Sequence, residues 1–261
     1  MQALNKRKDP QFASTLAQGI DVLACFQAGE ISLGNKDFAE RTGLSRSTVA
    51  RLTHTLLELG YLRRDPGGRR YRPGAALLVA SYPLLASLQI RQIARPLMIR
   101  LAAEINGAVS LVIRDRQQMV YVETARANEA LHTHPDIGAS LPMLSTAAGK
   151  AWLCRASAEE RAVVLNQIRL KEPGHYARHA AAIDETLLSF EKLGYCGNNA
   201  QWYPQAYGFA VPMSRAVDSN LFVFNSGVPV GEGSFHERAA QIGPKLFALV
   251  QGIENMLGFR Y

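Results

Sequence analysis

Four polar side chains near residue 50 could bind nucleic acid, because two hydroxyl groups and two guanidinium groups occur there within six residues. They are Arg46, Ser47, Thr48 and Arg51. Guanidinium groups pair with phosphates and guanine edges, and hydroxyl groups bond to either kind of acceptor. If these residues occupy the first turns of one helix, that helix presents a surface suited to the major groove of DNA.

The flanking residues predict a helix-turn-helix. Gly43 suits the left-handed end of one helix, and Ser45 suits the N-cap of the next. We expect a preceding helix over 36–42, capped by Asn35, and a first helix over 14–26. After Ser45 an apolar stripe with helical spacing faces away from the polar residues; it consists of Val49, Leu52, Leu56 and Leu59. An ordinary pair of surface helices is the alternative interpretation.

A basic hairpin is predicted directly after this helix. Two short strand-like segments, 61–64 and 69–72, flank Asp65-Pro66-Gly67-Gly68, a turn sequence. A basic hairpin in this position is typical of the wing of a winged helix, whose arginines reach phosphates or a narrow minor groove. A solvated basic loop is the alternative. The expected wing contacts are Arg63, Arg64, Arg69, Arg70 and Arg72, which join Asn35, Ser45 and the four helix residues in the predicted DNA-binding set.

The charge distribution favours nucleic acid as a partner of the N-terminal third. The 261-residue chain has a formal net charge of +7 and is 48% hydrophobic, enough for two packed domains. Residues 1–80 hold 12 Lys and Arg against 7 Asp and Glu, whereas the remainder holds 17 against 15. The basic excess therefore coincides with the predicted recognition elements. The segment Lys6-Arg7-Lys8 is interpreted as part of a solvated tail, with a DNA-contacting arm as the alternative.

Cysteine usage and hydropathy point to the cytoplasm. Cys25, Cys154 and Cys196 are widely spaced and odd in number, which argues against a disulfide framework and a structural zinc site. No apolar run is long enough for a membrane span, and no export signal follows the basic N-terminus. Residues 75–80 predict a helix that is apolar on more than one face, which needs burial from two sides, either by a subunit partner or within one chain.

The second half of the chain mixes helices and strands, which predicts an α+β domain rather than a doubly wound sheet. Ser157 and Glu160 form a capping box for one of the helices. The closing helix is expected to be interrupted near Gly243-Pro244. The predicted helices are 93–105, with Ile93, Leu97, Leu101 and Ile105 on its apolar face, and 146–154, 158–168, 183–193 and 235–257. The predicted strands are 109–113, 119–123, 131–134, 208–212 and 221–225.

We find no catalytic, metal or cofactor motif. Gly-rich phosphate loops and nucleophile elbows are absent from the sequence. Two histidine pairs, His132 with His134 and His175 with His179, have ligand-like spacing but no evident third ligand. Lys150 is better explained by helix support or an ion pair than by nucleophilic catalysis. The chain is therefore not expected to be an enzyme.

The ordered motifs resemble those of IclR-type bacterial transcriptional regulators over nearly the whole chain. They are Ala39-Glu40-Arg41-Thr42-Gly43-Leu44, Ser47-Thr48, Gly60-Tyr61-Leu62, Tyr71-Arg72-Pro73-Gly74, Ile93-Ala94-Arg95-Pro96, Leu141-Pro142, Thr146-Ala147-Ala148-Gly149-Lys150-Ala151 and Gly194-Tyr195. The resemblance implies a GAF-like effector-binding domain, dimers that often pair into tetramers, double-stranded operator DNA as a partner, and control of a catabolic operon by a small organic or aromatic acid. The residue patterns give the boundaries of a flexible basic N-terminus over 1–13, a winged helix-turn-helix domain over 14–73 and a linker helix over 74–90, and the resemblance assigns effector binding and oligomerisation to residues 91–261.

The same resemblance implies an effector pocket. Small residues at the start of a helix, Ala147 and Ala148, would let backbone N–H groups approach an anion. The full expected set is Leu131, Thr133, Leu141, Met143, Ala147, Ala148, Asn198, Asn199, Ala206, Gly208, Phe224 and Ser226.

The chain departs from the family pattern within that pocket. Amides stand at Asn198 and Asn199 where acidic residues are usual, Gly208 replaces a common Cys, and Phe224 replaces a Ser. These changes predict an aromatic or apolar carboxylate, held by Asn198, Asn199 and Ser226 and stacked on Phe224. The alternatives are a vestigial pocket that binds nothing and a winged helix that binds another protein.

Overall fold

A computed structural model of the chain describes residues 10–128 and 135–259, and it divides between Ser87 and Leu88 into two structural units. Within the described residues, no single helix is long and apolar enough to span a membrane, and the bent pair Ala76–Ser87 and Ile90–Ile105 reaches that length and composition only when counted together. The predicted strand 131–134 and the segment Lys6-Arg7-Lys8 lie outside the described residues.

In the N-terminal unit, residues 10–87 form four helices and one hairpin. Its core surrounds Phe38 and Tyr71, whose ring centroids are 6.0 Å apart. Leu33 and Tyr71 exchange two backbone hydrogen bonds of 2.9 and 2.8 Å, so the segment before α2 joins the hairpin. The elements are α1 (Ser14–Leu23), α2 (Asn35–Thr42), α3 (Arg46–Glu58), β1 (Leu62–Arg64), β2 (Tyr71–Pro73) and α4 (Ala76–Ser87).

Two boundaries in this unit differ from the expectation. Helix α1 ends at Leu23, not at residue 26, because Phe26 leaves the helix and packs edge-on against Phe38 with ring centroids 5.6 Å apart. Helix α2 begins one residue early. Its N-cap is Gly34, not Asn35, and the Asp37 carboxylate accepts a 2.8 Å hydrogen bond from the Gly34 N–H. A backbone cap with an acidic third position thus replaces the predicted Asn cap.

Helix α4 exposes its apolar side chains. None of its residues is buried, and Leu78, Val79 and Tyr82 are 70%, 71% and 68% exposed. Pro83 lies inside the helix without ending it. The expectation that this helix is apolar on more than one face is consistent with these exposures, and such a surface is unfavourable in water unless another element covers it.

The C-terminal unit is built on one antiparallel sheet with strand order β5-β4-β3-β8-β7-β6. Helices α5 and α10 pack on one face, and α6 packs on the other against β6, β7 and β8. The α+β fold class is confirmed. The elements are α5 (Ile90–Ile105), β3 (Ala108–Asp115), β4 (Gln118–Arg126), β5 (Ser140–Pro142), α6 (Ala147–Arg155), α7 (Ala158–Lys171), α8 (Pro173–His179), the 3-10 turn Ala180–Ala182, α9 (Ile183–Leu193), β6 (Cys196–Asn198), β7 (Ala206–Pro212), β8 (Val223–Pro229) and α10 (Phe235–Met256).

Helix α10 runs unbroken through Gly243-Pro244, contrary to the prediction of an interruption. A proline inside a helix costs about 3 kcal/mol locally. Burial of an apolar face on both sides of Pro244 offsets that cost, since each fully buried aliphatic side chain contributes about 1.5–3 kcal/mol. The buried residues of this face include Ile242, Leu246, Val250 and Ile253.

The predicted apolar stripe of α5 is confirmed at Leu101 and Ile105, which are buried. In the first half of the helix the buried face is displaced by one residue, so that Ala94 and Met98 are completely buried and Ile93 and Leu97 are half-buried. On its flank, Arg91 and Arg95 both bind the buried carboxylate of Glu123 in β4, with Arg91 Nη2 at 3.0 Å from Oε2. These ion pairs fix the rotation of the helix on the sheet.

Candidate functional site

The exposed face of α3 carries the predicted recognition residues. Arg46, Ser47 and Arg51 are exposed and Thr48 is half-buried, while Val49, Leu52 and Leu56 are buried on the opposite face. Leu59 was expected in the apolar stripe but is 59% exposed, because the helix ends at Glu58 and Leu59 is its C-cap. Sequence reasoning also missed His54, which is exposed one turn beyond Arg51.

Ser45 organises the start of this helix. Its Oγ accepts a 3.2 Å hydrogen bond from the Thr48 backbone N–H and lies 2.9–3.0 Å from the hydroxyl oxygens of Ser47 and Thr48. Gly43 ends α2 with a φ of 72°, as its left-handed role requires. The predicted cap and turn are confirmed, and both position α3; a contact of Ser45 with DNA stays a prediction.

The wing arginines differ in how many hydrogen bonds and ion pairs their side chains make within the domain. Arg69 is exposed, and no hydrogen bond or ion pair of its side chain occurs among the described residues. Arg70 is held by Asp37, at 2.8 Å, and by both the hydroxyl and the carbonyl of Ser32. Arg64 donates to the Gly68 carbonyl at 2.7 Å, and its guanidinium lies 5.4 Å from the Tyr71 ring centroid.

The remaining members of the predicted DNA-binding set lie near the same hairpin and helix. Arg63 is exposed and donates to the Pro73 carbonyl at 3.3 Å, and Arg72 is half-buried. Asn35 is half-buried, and its Oδ1 accepts a 3.3 Å hydrogen bond from the buried Thr53 hydroxyl. Asn35 therefore braces α2 against α3. The structure brings these residues together in one unit, and their roles toward DNA stay predictions.

In the C-terminal unit, cross-strand register defines a row of residues on the face that α6 covers. The row runs Arg126, Ala108, Gly227, Gly208, Asn198 across β4, β3, β8, β7 and β6. A Cβ placed on Gly208 would lie 3.6 Å from the Cβ atoms of both Ala147 and Asn198, which fixes the direction of this face. The middle of the row is therefore a floor of small residues with a polar side chain at each end.

A second row adds polar groups to that floor. It contains Thr124, Ser110 and Asn225, which are paired across β4, β3 and β8. The Ser110 and Thr124 hydroxyl oxygens are 3.1 Å apart. Sequence reasoning missed these residues, although Ser110 is a polar position that alternates with apolar ones along β3. We call the two rows, from Arg126 to Asn198 and from Thr124 to Asn225, the small-residue floor.

The charged end of the floor is formed by Arg126. Its side chain is 13% exposed, and it donates to the Asp136 carboxylate at 3.2 Å and to the Pro135 carbonyl at 3.3 Å. Nearby Tyr121 is almost completely buried, and this burial raises the pKa of its hydroxyl, an effect that the charge of Arg126 opposes. The phenol is therefore neutral, and the positive charge that the described residues place at this end of the floor is that of Arg126, which is paired with Asp136.

Phe224 and Ser226 lie on the opposite face of the sheet, contrary to their predicted place in the pocket. Ser226 pairs with Phe209, and the Phe209 ring stacks on Phe235 of α10 at 5.5 Å. Phe224 is two residues away on the same face and is completely buried. Neither side chain can contact a molecule on the small-residue floor; Asn225, between them, points to it.

The other predicted pocket residues divide between buried and exposed positions. Asn198 is buried, donating to the Ser145 carbonyl at 2.7 Å and accepting from the Gln201 N–H at 3.0 Å. Asn199 is exposed, and Ala206 is half-buried at the start of β7. Leu141, Met143, Ala147 and Ala148 are buried around the start of α6. Leu131 and Thr133 lie outside the described residues.

The structure also shows the caps of α6 and α7 and one of the two histidine pairs. Thr146 caps α6 by accepting from the Gly149 N–H at 3.2 Å, and Ser157 and Glu160 form the predicted capping box. The rings of His175 and His179 do meet, with centroids 4.7 Å apart. No group of three or more metal-binding side chains occurs among the described residues. His132 and His134 lie outside them.

Comparison with known proteins gives concordant matches to both units. The IclR helix-turn-helix domain matches residues 15–66, and the C-terminal domain of the bacterial transcriptional regulator IclR matches residues 83–221. The chain is 31% identical over 242 residues to the transcriptional regulator TsaQ1/TsaQ2 of Comamonas testosteroni, covering 92% of this chain and 87% of that protein.

Two solved structures extend the comparison. An IclR family transcriptional regulator from Brucella abortus superposes with a TM-score of 0.81 at 35% identity, over 98% of this chain and 97% of that one. An IclR homologue from Microbacterium hydrocarbonoxydans, solved with 4-hydroxybenzoate, superposes with a TM-score of 0.62 at 21% identity, over 91% and 99% of the two chains. The second similarity shows the shared fold alone.

Proposed function

Since this chain belongs to the IclR family of bacterial transcriptional regulators, we propose that it binds the operator of a catabolic operon and that an aromatic or apolar carboxylate modulates this binding. It is a DNA-binding transcription regulator with an effector-binding C-terminal domain, and not an enzyme. What we propose are the residues that contact DNA and the effector, the chemical class of the effector, and the type of operon that is controlled.

We assign the DNA contacts to side chains that are exposed to solvent. Arg46, Ser47 and Arg51 face solvent from the first turns of α3, the part of a recognition helix that reaches base edges. Arg69 supplies a wing cation that is not engaged within the described residues, so it is available for a phosphate. Arg70 and Asn35, which are bonded within the domain, are assigned to bracing it.

The small-residue floor is the single observation that carries the effector class. Ala108, Gly227 and Gly208 project little or no side chain from the sheet, so we infer that a flat apolar body can approach this face closely. At one end, Arg126 and the hydroxyl groups of Ser110 and Thr124 can bind a carboxylate. The homologue solved with 4-hydroxybenzoate supports this choice of ligand.

A homodimer fits the exposed apolar surface of α4. Leu78, Val79, Tyr82 and Leu84 are all more than half exposed, and a second copy of this helix would cover them. Two recognition helices would then read half-sites separated by whole helical turns. Pairing of dimers into tetramers is proposed by the family relationship alone. We also propose these boundaries: an N-terminal segment over 1–13, the winged domain over 14–73, the linker helix over 74–90 and the effector-binding and oligomerisation domain over 91–261.

DNA binding is tested with the full-length protein and the intergenic DNA beside its own gene, against a scrambled fragment of equal length, at two salt concentrations. We expect a preference for the native fragment that persists at the higher salt, because base contacts do not release counterions as phosphate contacts do. Arg46→Ala and Arg51→Ala should each weaken native binding by about 1–3 kcal/mol, and Arg169→Ala in α7 is the matched control. Equal, salt-sensitive binding to both fragments would contradict operator recognition there.

Effector binding is tested by calorimetry with 4-hydroxybenzoate, with its neutral amide and with acetate. The proposal requires heat and thermal stabilisation with the aromatic acid, weaker binding of the amide, which lacks the charge that Arg126 recognises, and weak binding of acetate, which lacks the ring. Failure of all aromatic acids to bind would favour a vestigial pocket.

A further inference from the structure

Two cysteines that are far apart in the sequence are neighbours in the C-terminal unit. Cys154 in α6 and Cys196 in β6 have their Sγ atoms 3.7 Å apart. A disulfide has an S–S bond of about 2.05 Å, so the sulfurs need to approach by less than about 2 Å. The third thiol, Cys25, is buried in the other unit. The sequence spacing, which argued against a disulfide framework, did not reveal this neighbouring pair of thiols.

A cavity gives small solutes access to one of these thiols. The cavity has a volume of about 270 Å³ and is lined on one side by Lys150 and Cys154 of α6, and on the other by His179 and by residues of α9. Cys154 is half-buried, whereas Cys196 is buried beneath it. A solute in the cavity therefore meets the Cys154 sulfur first.

Electrostatics also distinguish the two thiols. The hydrogen bond from the Cys196 thiol lowers the pKa of Cys154, and the charges of Arg161 and Lys150 lower it further. The same hydrogen bond, together with burial, raises the pKa of Cys196 well above its usual value. Burial likewise raises the pKa of Cys25. Thiolate is the reactive form of cysteine, so Cys154 is favoured as the nucleophile.

We propose that Cys154 is an oxidation site for small hydroperoxides and that Cys196 resolves the product into an intramolecular disulfide. In the first step the Cys154 thiolate attacks one peroxide oxygen. An S–O bond forms, the O–O bond breaks, the sulfur loses two electrons, and the departing hydroxide or alkoxide takes a proton from water. In the second step the Cys196 sulfur attacks the Cys154 sulfenic acid. The S–S bond forms, the S–O bond breaks, and the hydroxyl leaves as water with the Cys196 thiol proton.

The disulfide would join α6 to β6 beside the small-residue floor. Cys196 lies two residues from Asn198 on the same face of the sheet, and α6 begins at Ala147 above that floor. Oxidation is therefore expected to alter effector affinity, a consequence that rests on the proposed function. The oxidation itself is measured without any effector, so that failure of one proposal is distinguishable from failure of the other.

The test treats the reduced full-length protein with a small excess of hydrogen peroxide, followed by alkylation in denaturant, so that buried thiols are labelled too, and by peptide mass mapping. We expect a Cys154–Cys196 linked peptide, reversible by dithiothreitol, while Cys25 stays alkylatable in the same molecules. Because Cys25 is a control within one chain, this comparison needs no variant. Loss of free Cys154 at the same rate as free Cys25, or without the linked peptide, would overturn the proposal.

Two variants identify the roles. Cys196→Ser should retain the reaction but accumulate a Cys154 sulfenic acid that dimedone traps, because no resolving thiol is present. Cys154→Ser should leave Cys196 reduced under the same treatment. If Cys196 is oxidised equally fast in Cys154→Ser, the assignment of the nucleophile is wrong. Circular dichroism of both variants confirms that the reaction is measured on folded protein.

Discussion

Arg70 in the wing donates through Nη2 to Oδ2 of Asp37 in α2 at a distance of 2.8 Å. The same carboxylate oxygen accepts the N–H of Gly34, so one side chain both caps α2 and holds the hairpin. Arg69, its neighbour in sequence, points to solvent. Two adjacent arginines of one basic hairpin are thus separated into a bracing residue and a residue available for DNA.

Replacing Arg70 should destabilise the winged domain, whereas replacing Arg69 should not. Arg70→Ala is expected to lower the free energy of unfolding of the winged domain by about 1 kcal/mol, since it removes a partly exposed ion pair and the bonds to Ser32. Arg69→Ala should leave that free energy within about 0.5 kcal/mol. Denaturant titration measures this difference.

DNA binding supplies the second half of the comparison. Arg69→Ala should weaken binding to all sequences alike and reduce the slope of log K against log salt by about one, as loss of one phosphate contact does. A variant Arg69→Ala whose salt slope equals that of the unaltered protein would place this side chain away from the phosphates.

Acid stability of the winged domain should depend on Glu30. The hydrogen bond from Arg41 lowers the pKa of Glu30 to about 2, from an ordinary value of 4.5. A carboxylate with a lowered pKa stabilises the fold above its unfolded pKa and loses this contribution as the pH falls through the folded pKa. We expect the loss between about pH 4.5 and 2, and Glu30→Gln should be less sensitive to pH in this window.

Amide hydrogen exchange of residues 25–43 measures the stability of the winged domain separately from that of the C-terminal unit. Both tryptophans, Trp152 and Trp202, belong to the C-terminal unit, so their fluorescence is an internal control that the substitution should not change. Equal acid sensitivity of the exchange in the unaltered protein and in Glu30→Gln would show that the ion pair contributes nothing.

Local signals predicted the winged domain well because its determinants are short-range. The Ser45 cap and the left-handed Gly43 depend on residues within one turn of themselves. The predicted end of α1 was wrong because it depends on Phe26, which lies beyond the helix and packs against Phe38 of α2, a contact that local signals do not encode. The same holds for α10, where burial along the whole helix outweighs the local cost of Pro244.

The effector site was predicted less well because side-chain direction in a strand changes with every residue. An assignment one position out moves a side chain to the other face of the sheet. Phe224 and Ser226 were placed in the pocket from a sequence motif, which does not specify the face, and the register puts Asn225 on the face of Asn198 instead. Register sets the face, and it depends on pairing between strands that are distant in sequence.

A close backbone contact makes Gly149 a sensitive position. A Cβ at this residue would lie 2.1 Å from the Met143 carbonyl oxygen, so Gly149→Ala must displace the start of α6. We expect the thermal midpoint of the C-terminal unit, followed by tryptophan fluorescence, to fall by several degrees. Gly252→Ala in α10, where the added methyl group meets nothing within 4 Å, is the matched control and should not lower the midpoint.

The opposite faces of β8 allow the effector site to be tested by two adjacent substitutions. Asn225→Leu removes a polar group from the small-residue floor at a half-buried position, so it should weaken 4-hydroxybenzoate binding about 10-fold, which corresponds to the loss of about one hydrogen bond. Its effect on the free energy of unfolding should be small. Calorimetry and denaturant titration measure the two quantities.

Phe224→Leu should show the reverse pattern. Phe224 is completely buried on the face that α5 and α10 cover, so a smaller side chain leaves a cavity there and should lower the free energy of unfolding by about 1–3 kcal/mol. Effector affinity of the folded protein should change little, since the sheet backbone separates this ring from the floor. If Phe224→Leu weakens binding and Asn225→Leu does not, the effector occupies the other face of the sheet and the proposed site is wrong.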